Sequence, residues 1–178
     1  VASKKIAAEI TIVISDSSDA YGVTRAKKNN LPTHILNKND SLVDLLKRVY
    51  QLDYVVLSGW KKIIPDECID AFPKKILNVH PGLIPDTIDG VVFNPDKSIG
   101  LWNKGKFTSK AIQNVLEQQA TYAGSSIHFL THEFDFGPVI ERCFEKVTPT
   151  DSVESLYTRL KVKENQMYVK ALEKLCNQ

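Results

Sequence analysis

Asn78-Val79-His80-Pro81 follows the apolar pair Ile76-Leu77, and that placement could give two polar side chains a common direction. Residues two apart in a strand share a face, so Asn78 and His80 can converge on one reacting centre. An amide N–H can donate to a developing oxyanion, and an imidazole can exchange a proton near neutral pH. A carboxylate beside an imidazole favours its charged form. Asp135 is the candidate, in a turn that closes with Gly137-Pro138. Such a trio could serve attack of an amine on a carbonyl without a serine or cysteine nucleophile. The same His-Pro step also suits a capping or packing feature. His132 beside Glu133 reads as a solvated turn, His34 as a structural histidine, and Trp60 as a core or pocket-wall residue at a strand end. Cys143 alternates with charged neighbours and shows no sign of an activated thiolate. The four histidines and three cysteines have no ligand spacing, so no metal is expected.

Strand ends of this kind need a sheet behind them. Residues 10–16 are β-branched and continuous, as in a strand covered on both faces. A helix is expected from a cap at residues 17–19 to about Asn29, where Leu31-Pro32 ends it. Residues 33–36 read as a short strand, and Asp40-Ser41 as the cap of a helix with Leu42, Val43, Leu45, Leu46 and Val49 at helical spacing. Further strands are expected at residues 54–58 and 76–79, with a short helix opening at Pro65-Asp66-Glu67 between them. Strands alternating with helices at this pitch mean βαβ units and a parallel sheet. Residues 82–107 break the rhythm with glycines and prolines, and a loop that long is usually functional or mobile. A helix capped by Thr108 or Ser109 runs to about Gln119, and strands follow at 126–130 and 139–147. Asp151-Ser152-Val153-Glu154 reads as a capping box that opens a helix to about Leu175. Ligands of open parallel sheets bind beyond the carboxyl ends of the strands. That rule selects Gly59-Trp60, residues 78–81 and the turn over 131–138.

Composition excludes several classes. At 178 residues, 43% hydrophobic and 25% charged, the chain is an ordinary globular one, long enough for one well-buried domain. A net charge of +2 with lysines spread along the chain argues against a nucleic-acid surface. No apolar run approaches a membrane span, so no membrane partner is expected. An odd number of unpatterned cysteines points to a reducing, cytoplasmic setting.

Residues 55–60 (VVLSGW), 76–85 (ILNVHPGLIP), 124–129 (GSSIHF) and 135–140 (DFGPVI), in that order, resemble the folate-dependent formyltransferase family from about Ile10 to the last helix. The resemblance implies a three-layer, Rossmann-like α/β fold: an open, mostly parallel sheet with helices on both faces. It implies transfer of formyl from 10-formyltetrahydrofolate, as cosubstrate, to the amine of glycinamide ribonucleotide in purine biosynthesis. Asn78, His80 and Asp135 would be the catalytic residues. Lys61, Lys62, Ile63 and Ile64 would match the folate-binding strand end, and Thr131, His132, Glu133 and Phe134 the folate loop. Lys161 and Glu164 would contact the ribonucleotide, and His128 and Gly137 would support the site. The partners would be small molecules, and the assembly a monomer or homodimer.

The chain also departs from that family. The resemblance leads one to expect a preceding strand and a glycine-rich phosphate turn, so that residues 1–178 form a single catalytic domain lacking its first βα unit. Residues 37–43 are shorter and lack an expected arginine, the loop over 87–107 is longer, a histidine is replaced in Thr108-Ser109-Lys110, and Gly82 stands where serine is usual. Rival functions are therefore an N-formyltransferase of amino-sugar nucleotides, a formyltetrahydrofolate deformylase and a non-catalytic folate-binding remnant.

Overall fold

The computed structural model describes residues 6–49 and 51–177. The expectation of a missing βα unit concerns chain before Ile6, outside the described residues. In chain order the elements are β1 (Val13–Ser15), α1 (Tyr21–Lys28), β2 (Thr33–Ile35), α2 (Leu42–Lys47), β3 (Val55–Val56) and α3 (Asp66–Ala71). They continue with β4 (Ile76–His80), α4 (Thr108–Glu117), β5 (Tyr122–Phe129), β6 (Val139–Lys146) and α5 (Val153–Cys176).

The α/β class is as expected, and among the described residues the strands form two sheets. β1 and β2 pair in parallel, and a second sheet runs β3-β4-β5-β6. Only β3 and β4 are parallel in the larger sheet; β4, β5 and β6 form an antiparallel meander. The short turn over 131–138 allows only a hairpin between β5 and β6, because a parallel pair needs a crossover of a dozen or more residues. β1 is shorter than its β-branched run, since only Val13 to Ser15 find partners on β2.

Alternation along β4 and β5 divides two cores. Leu77 and Val79 on β4, with Ala123 and Ile127 on β5, face α5, where Leu156, Leu160, Met167 and Ala171 are buried. Ile76 points the other way and packs with Cys68 of α3 and Leu46 of α2. Burial on both faces makes the register of β4 hard to slip, because a shift of one residue would exchange the two cores. Asn78 and His80 are thereby fixed on the α3 side.

Two helix starts differ from expectation. Ala20 and Phe107 occupy the N-caps of α1 and α4, without side-chain caps. At α5 the capping box forms between Ser152 and Ser155, each side chain accepting from the other's backbone N–H. Asp151 is free of that task and instead binds the guanidinium of Arg159 at 2.6 Å.

Residues 82–107 do not stand off the surface. Leu83 donates its N–H to Leu101 O at 2.9 Å, Ile84 donates to Ser126 Oγ at 2.9 Å, and Arg142 donates twice to Ile84 O. A small antiparallel bridge joins Phe93 to Ile99. The end of the loop, residues 101–105, comes back across the carboxyl end of β4.

Candidate active site

Asn78 and His80 lie opposite His128 and Ser126 of β5, and all four side chains share the α3 face. His128 and His80 are buried to within 2% of full coverage. A β-bulge between Ile127 and His128 shifts the β5–β6 register just before the turn that carries Asp135, a common device beside reacting groups.

The polar groups order one another. His128 Nδ1 lies 3.1 Å from Phe129 O, which can only accept, so this nitrogen carries the proton. Its Nε2 is then an acceptor for Asn78 Nδ2–H at 3.3 Å. Burial first, and then the neighbouring His80 charge, push His128 down to about 4, so it stays neutral at ordinary pH. The amide of Asn78 is thereby oriented, and its second N–H remains free for a ligand oxygen. Gly137 permits the arrangement, because a Cβ there would stand 2.1 Å from Phe129 O.

Asp135 Oδ1 lies 3.5 Å from His80 Nδ1, and Asp135 Oδ2 accepts from Gly105 N–H at 2.7 Å. Burial raises the Asp135 carboxyl, but the bonds with His80 and Gly105 outweigh it and hold the group below its ordinary value. Asp135 has φ +51°, an uncommon conformation for a residue with a Cβ. The other ring nitrogen, His80 Nε2, lies 2.7 Å from Trp102 O. Both partners are acceptors, so only a ring carrying both protons donates to both.

The sequence did not single out Trp102 or Gly105. Trp102 Nε1 donates to Asp135 O at 2.9 Å, and its ring packs on Phe136 with centroids 5.7 Å apart. Lys104 lies over the indole and pairs with Glu133 at 2.6 Å. Asn103 fastens this strap by donating to Pro81 O and accepting from Asn114. The only hint in the sequence was the length of the loop.

The other candidates are spread more widely. Thr131 donates to Phe136 O at 2.7 Å, Phe134 is exposed, and His132 reaches α3 at Asp70 (2.9 Å) and Asp66 (3.4 Å). These carboxylates raise the His132 imidazole. Lys61 is exposed, Lys62 pairs with Asp16 at 3.2 Å, Ile63 is exposed and Ile64 is buried in the core under α3. Lys62 and Ile63 line a cavity of about 400 Å³ with Trp60, Leu36, Asp40 and Asp44. Trp60 Nε1 is buried and has no hydrogen-bond partner among the described residues. Lys161 and Glu164 are not brought beside the trio. Glu164 takes Ser125 Oγ–H at 2.6 Å and Lys161 at 2.9 Å, and Ser125 points to the α5 side of β5. Ser125 adjoins Ser126, the partner of His80, so the pair sits level with His80 but across the sheet.

A two-sheet α/β chain with an Asn-x-His strand end facing an aspartate turn has relatives. A family model described as formyl transferase matches residues 1–172, and the chain belongs to that family. It is 30% identical to the chloroplastic phosphoribosylglycinamide formyltransferase of Arabidopsis thaliana over 96% of its own length and 56% of the plant protein's. With the phosphoribosylglycinamide formyltransferase of Haemophilus influenzae it shares 31% identity, over 93% of this chain and 73% of the relative. The crystal structure of phosphoribosylglycinamide formyltransferase from Anaplasma phagocytophilum superposes with a TM-score of 0.78 at 25% identity, covering 96% of this chain and 76% of that one. The chain thus spans just over half of the plant relative. Among the described residues no helix is long and apolar enough to cross a membrane.

Proposed function

We propose that the chain transfers the formyl group of 10-formyltetrahydrofolate to the amine of glycinamide ribonucleotide. The observation that carries the reading is the placement of Asn78, His80 and Asp135 at one strand end in a chain of this family. The acceptor nitrogen bonds the formyl carbon, the bond from that carbon to folate N10 breaks, and the proton lost by the amine ends on N10. Asn78 Nδ2–H and His80 Nε2–H donate to the oxygen as it gains charge, where preorganised donors have most effect. Asp135 balances the charge on His80 and keeps its Nδ1 proton in place. His80 passes the proton between amine and leaving nitrogen.

Part of the expected folate-binding set lines a cavity. The cavity beside Trp60 lies within the roughly 300–1,000 Å³ usual for small-molecule sites. Asp40, Asp44 and Glu67 on its wall can accept from ring amino groups. Lys62 and Ile63 line this cavity and would hold the folate there, whereas Lys61, Ile64 and residues 131–134 lie outside its lining. The carboxylates make this cavity unsuitable for a phosphate. Lys161, accessible on the opposite face at the level of His80, would meet the part of the acceptor that rounds the strand ends, with Glu164 holding its ammonium. Cys68, Cys143 and Cys176 are all free thiols, which supports a reducing compartment such as the cytoplasm.

The deciding assay mixes the protein with 10-formyltetrahydrofolate and either glycinamide ribonucleotide or an amino-sugar nucleotide, and follows folate absorbance. Turnover is expected with the ribonucleotide. Turnover only with the sugar nucleotide, or formate release without any amine, would replace this acceptor. His80→Ala and Asp135→Ala should each lower kcat by at least about a hundredfold with little change in folate affinity. Equal losses in binding and turnover would remove the catalytic assignment.

A further inference from the structure

We propose that Trp102 is the positioning residue of this site: its indole N–H fixes the backbone of Asp135, and its carbonyl occupies the place on His80 that the reacting oxygen takes. The first part rests on three contacts. Trp102 Nε1 donates to Asp135 O at 2.9 Å, so the indole grips the main chain of the residue whose carboxylate faces His80. Three residues on, Gly105 N–H holds Oδ2 at 2.7 Å and leaves Oδ1 for His80 Nδ1. Asp135 sits at φ +51°, a conformation that surrounding contacts must maintain. Without the indole bond the turn can relax, and Oδ1 swings away from the ring.

The second part follows from Nε2. Trp102 O stands 2.7 Å from it, and the ring is almost wholly buried, so no ligand oxygen reaches His80 while that carbonyl remains. Gly82 makes the approach possible, since a Cβ there would fall 1.7 Å from Trp102 O. Substrate entry exchanges one carbonyl-type acceptor for another on the same N–H, so His80 is never left buried with an unpaired proton. The charged and titratable groups around Asp135 are His80 from β4, His128 from β5, and Lys104 of the strap, which is itself paired with Glu133.

Trp102→Phe removes the N–H and keeps the ring against Phe136 and the backbone carbonyl. In the ligand-free protein, amide exchange at Gly105 should quicken at least about tenfold, as expected for loss of one anchoring hydrogen bond. With 10-formyltetrahydrofolate and the amine, kcat should fall about tenfold while KM stays within about twofold. The acid limb of the kcat profile should move to higher pH, because release of the Asp135 backbone loosens the His80 and Gly105 contacts that stabilise its carboxylate. Unchanged Gly105 exchange overturns the proposal. So does a kcat loss with an unmoved acid limb and a parallel fall in Tm, which marks packing alone. The kinetic part rests on the formyl-transfer reading. A wild-type chain that transfers no formyl group ends that reading, whereas Gly105 exchange still decides the role of Trp102.

Discussion

Protonating His128 disturbs the site without altering any residue proposed to react. The folded state holds this imidazole at about 4 against an ordinary 6.5, through burial and the adjacent His80 charge. As pH falls below 6.5 the unfolded chain takes up a proton that the folded chain refuses, so stability falls. The loss ends near pH 4, where the folded form also binds the proton. At about 1.4 kcal/mol for each pH unit, this one histidine removes about 3 kcal/mol across that window. That is a large share of the roughly 5–15 kcal/mol that holds a domain folded. His128→Gln keeps an acceptor for Asn78 and has no titration of its own. Urea unfolding of both proteins, followed by circular dichroism between about pH 7 and pH 4, gives the comparison. Carboxylates such as Asp135 titrate in both proteins, so the difference between the curves isolates His128. The wild type should lose about 3 kcal/mol more than His128→Gln over the window. Curves that run parallel would show that His128 is not held neutral, and the orientation assigned to Asn78 would fall with it.

Two further outcomes follow from packing. Gly82→Ala places a methyl group 1.7 Å from Trp102 O, so residues 102–106 should lift and trypsin should cut after Lys104 or Lys106 faster than in wild type. Equal digestion rates would mean that the strap does not rest on Gly82. Leu160→Ala empties a fully buried position between α4, α5 and β5 and should cost about 3 kcal/mol in chemical unfolding. A cost below about 1 kcal/mol would show that α5 is not packed as described.

Much of the scaffold was legible because its signals are local. A β-branched run marked β1, short apolar segments marked β2 to β4, helical spacing marked α2, and a capping signal marked α5. The hairpin of β5 and β6 was harder to place. Its strands were recognised from composition, but β5 begins at Tyr122, four residues before the expected start. Gly124 and the serines that follow it carry no strand propensity, and they are held there by pairing with β6. The caps of α1 and α4 were misplaced for a related reason. At α1 the hydroxyl of Ser15 donates to Ser17 O and accepts from Ser17 N–H, closing a turn over residues 15–17, and the helix starts only after Ala20.

The sequence by itself determined that Asn78 and His80 point the same way, because alternation belongs to the strand and needs no partner. It also marked Asp135 and Gly137 as parts of one tight turn. Only tertiary structure decided what those groups touch. The role of His128 as an acceptor for Asn78 depends on the register between β4 and β5. The separation of Glu164 from His80 depends on which face of β5 receives α5. Trp102 is 22 residues from His80 and 33 from Asp135, at the end of a loop without periodicity. Its contacts come from where the chain returns, which Leu83, Asn103 and Arg142 fix together. Periodicity is a property of neighbours along the chain, whereas the closing of a site is set by the packing of distant segments.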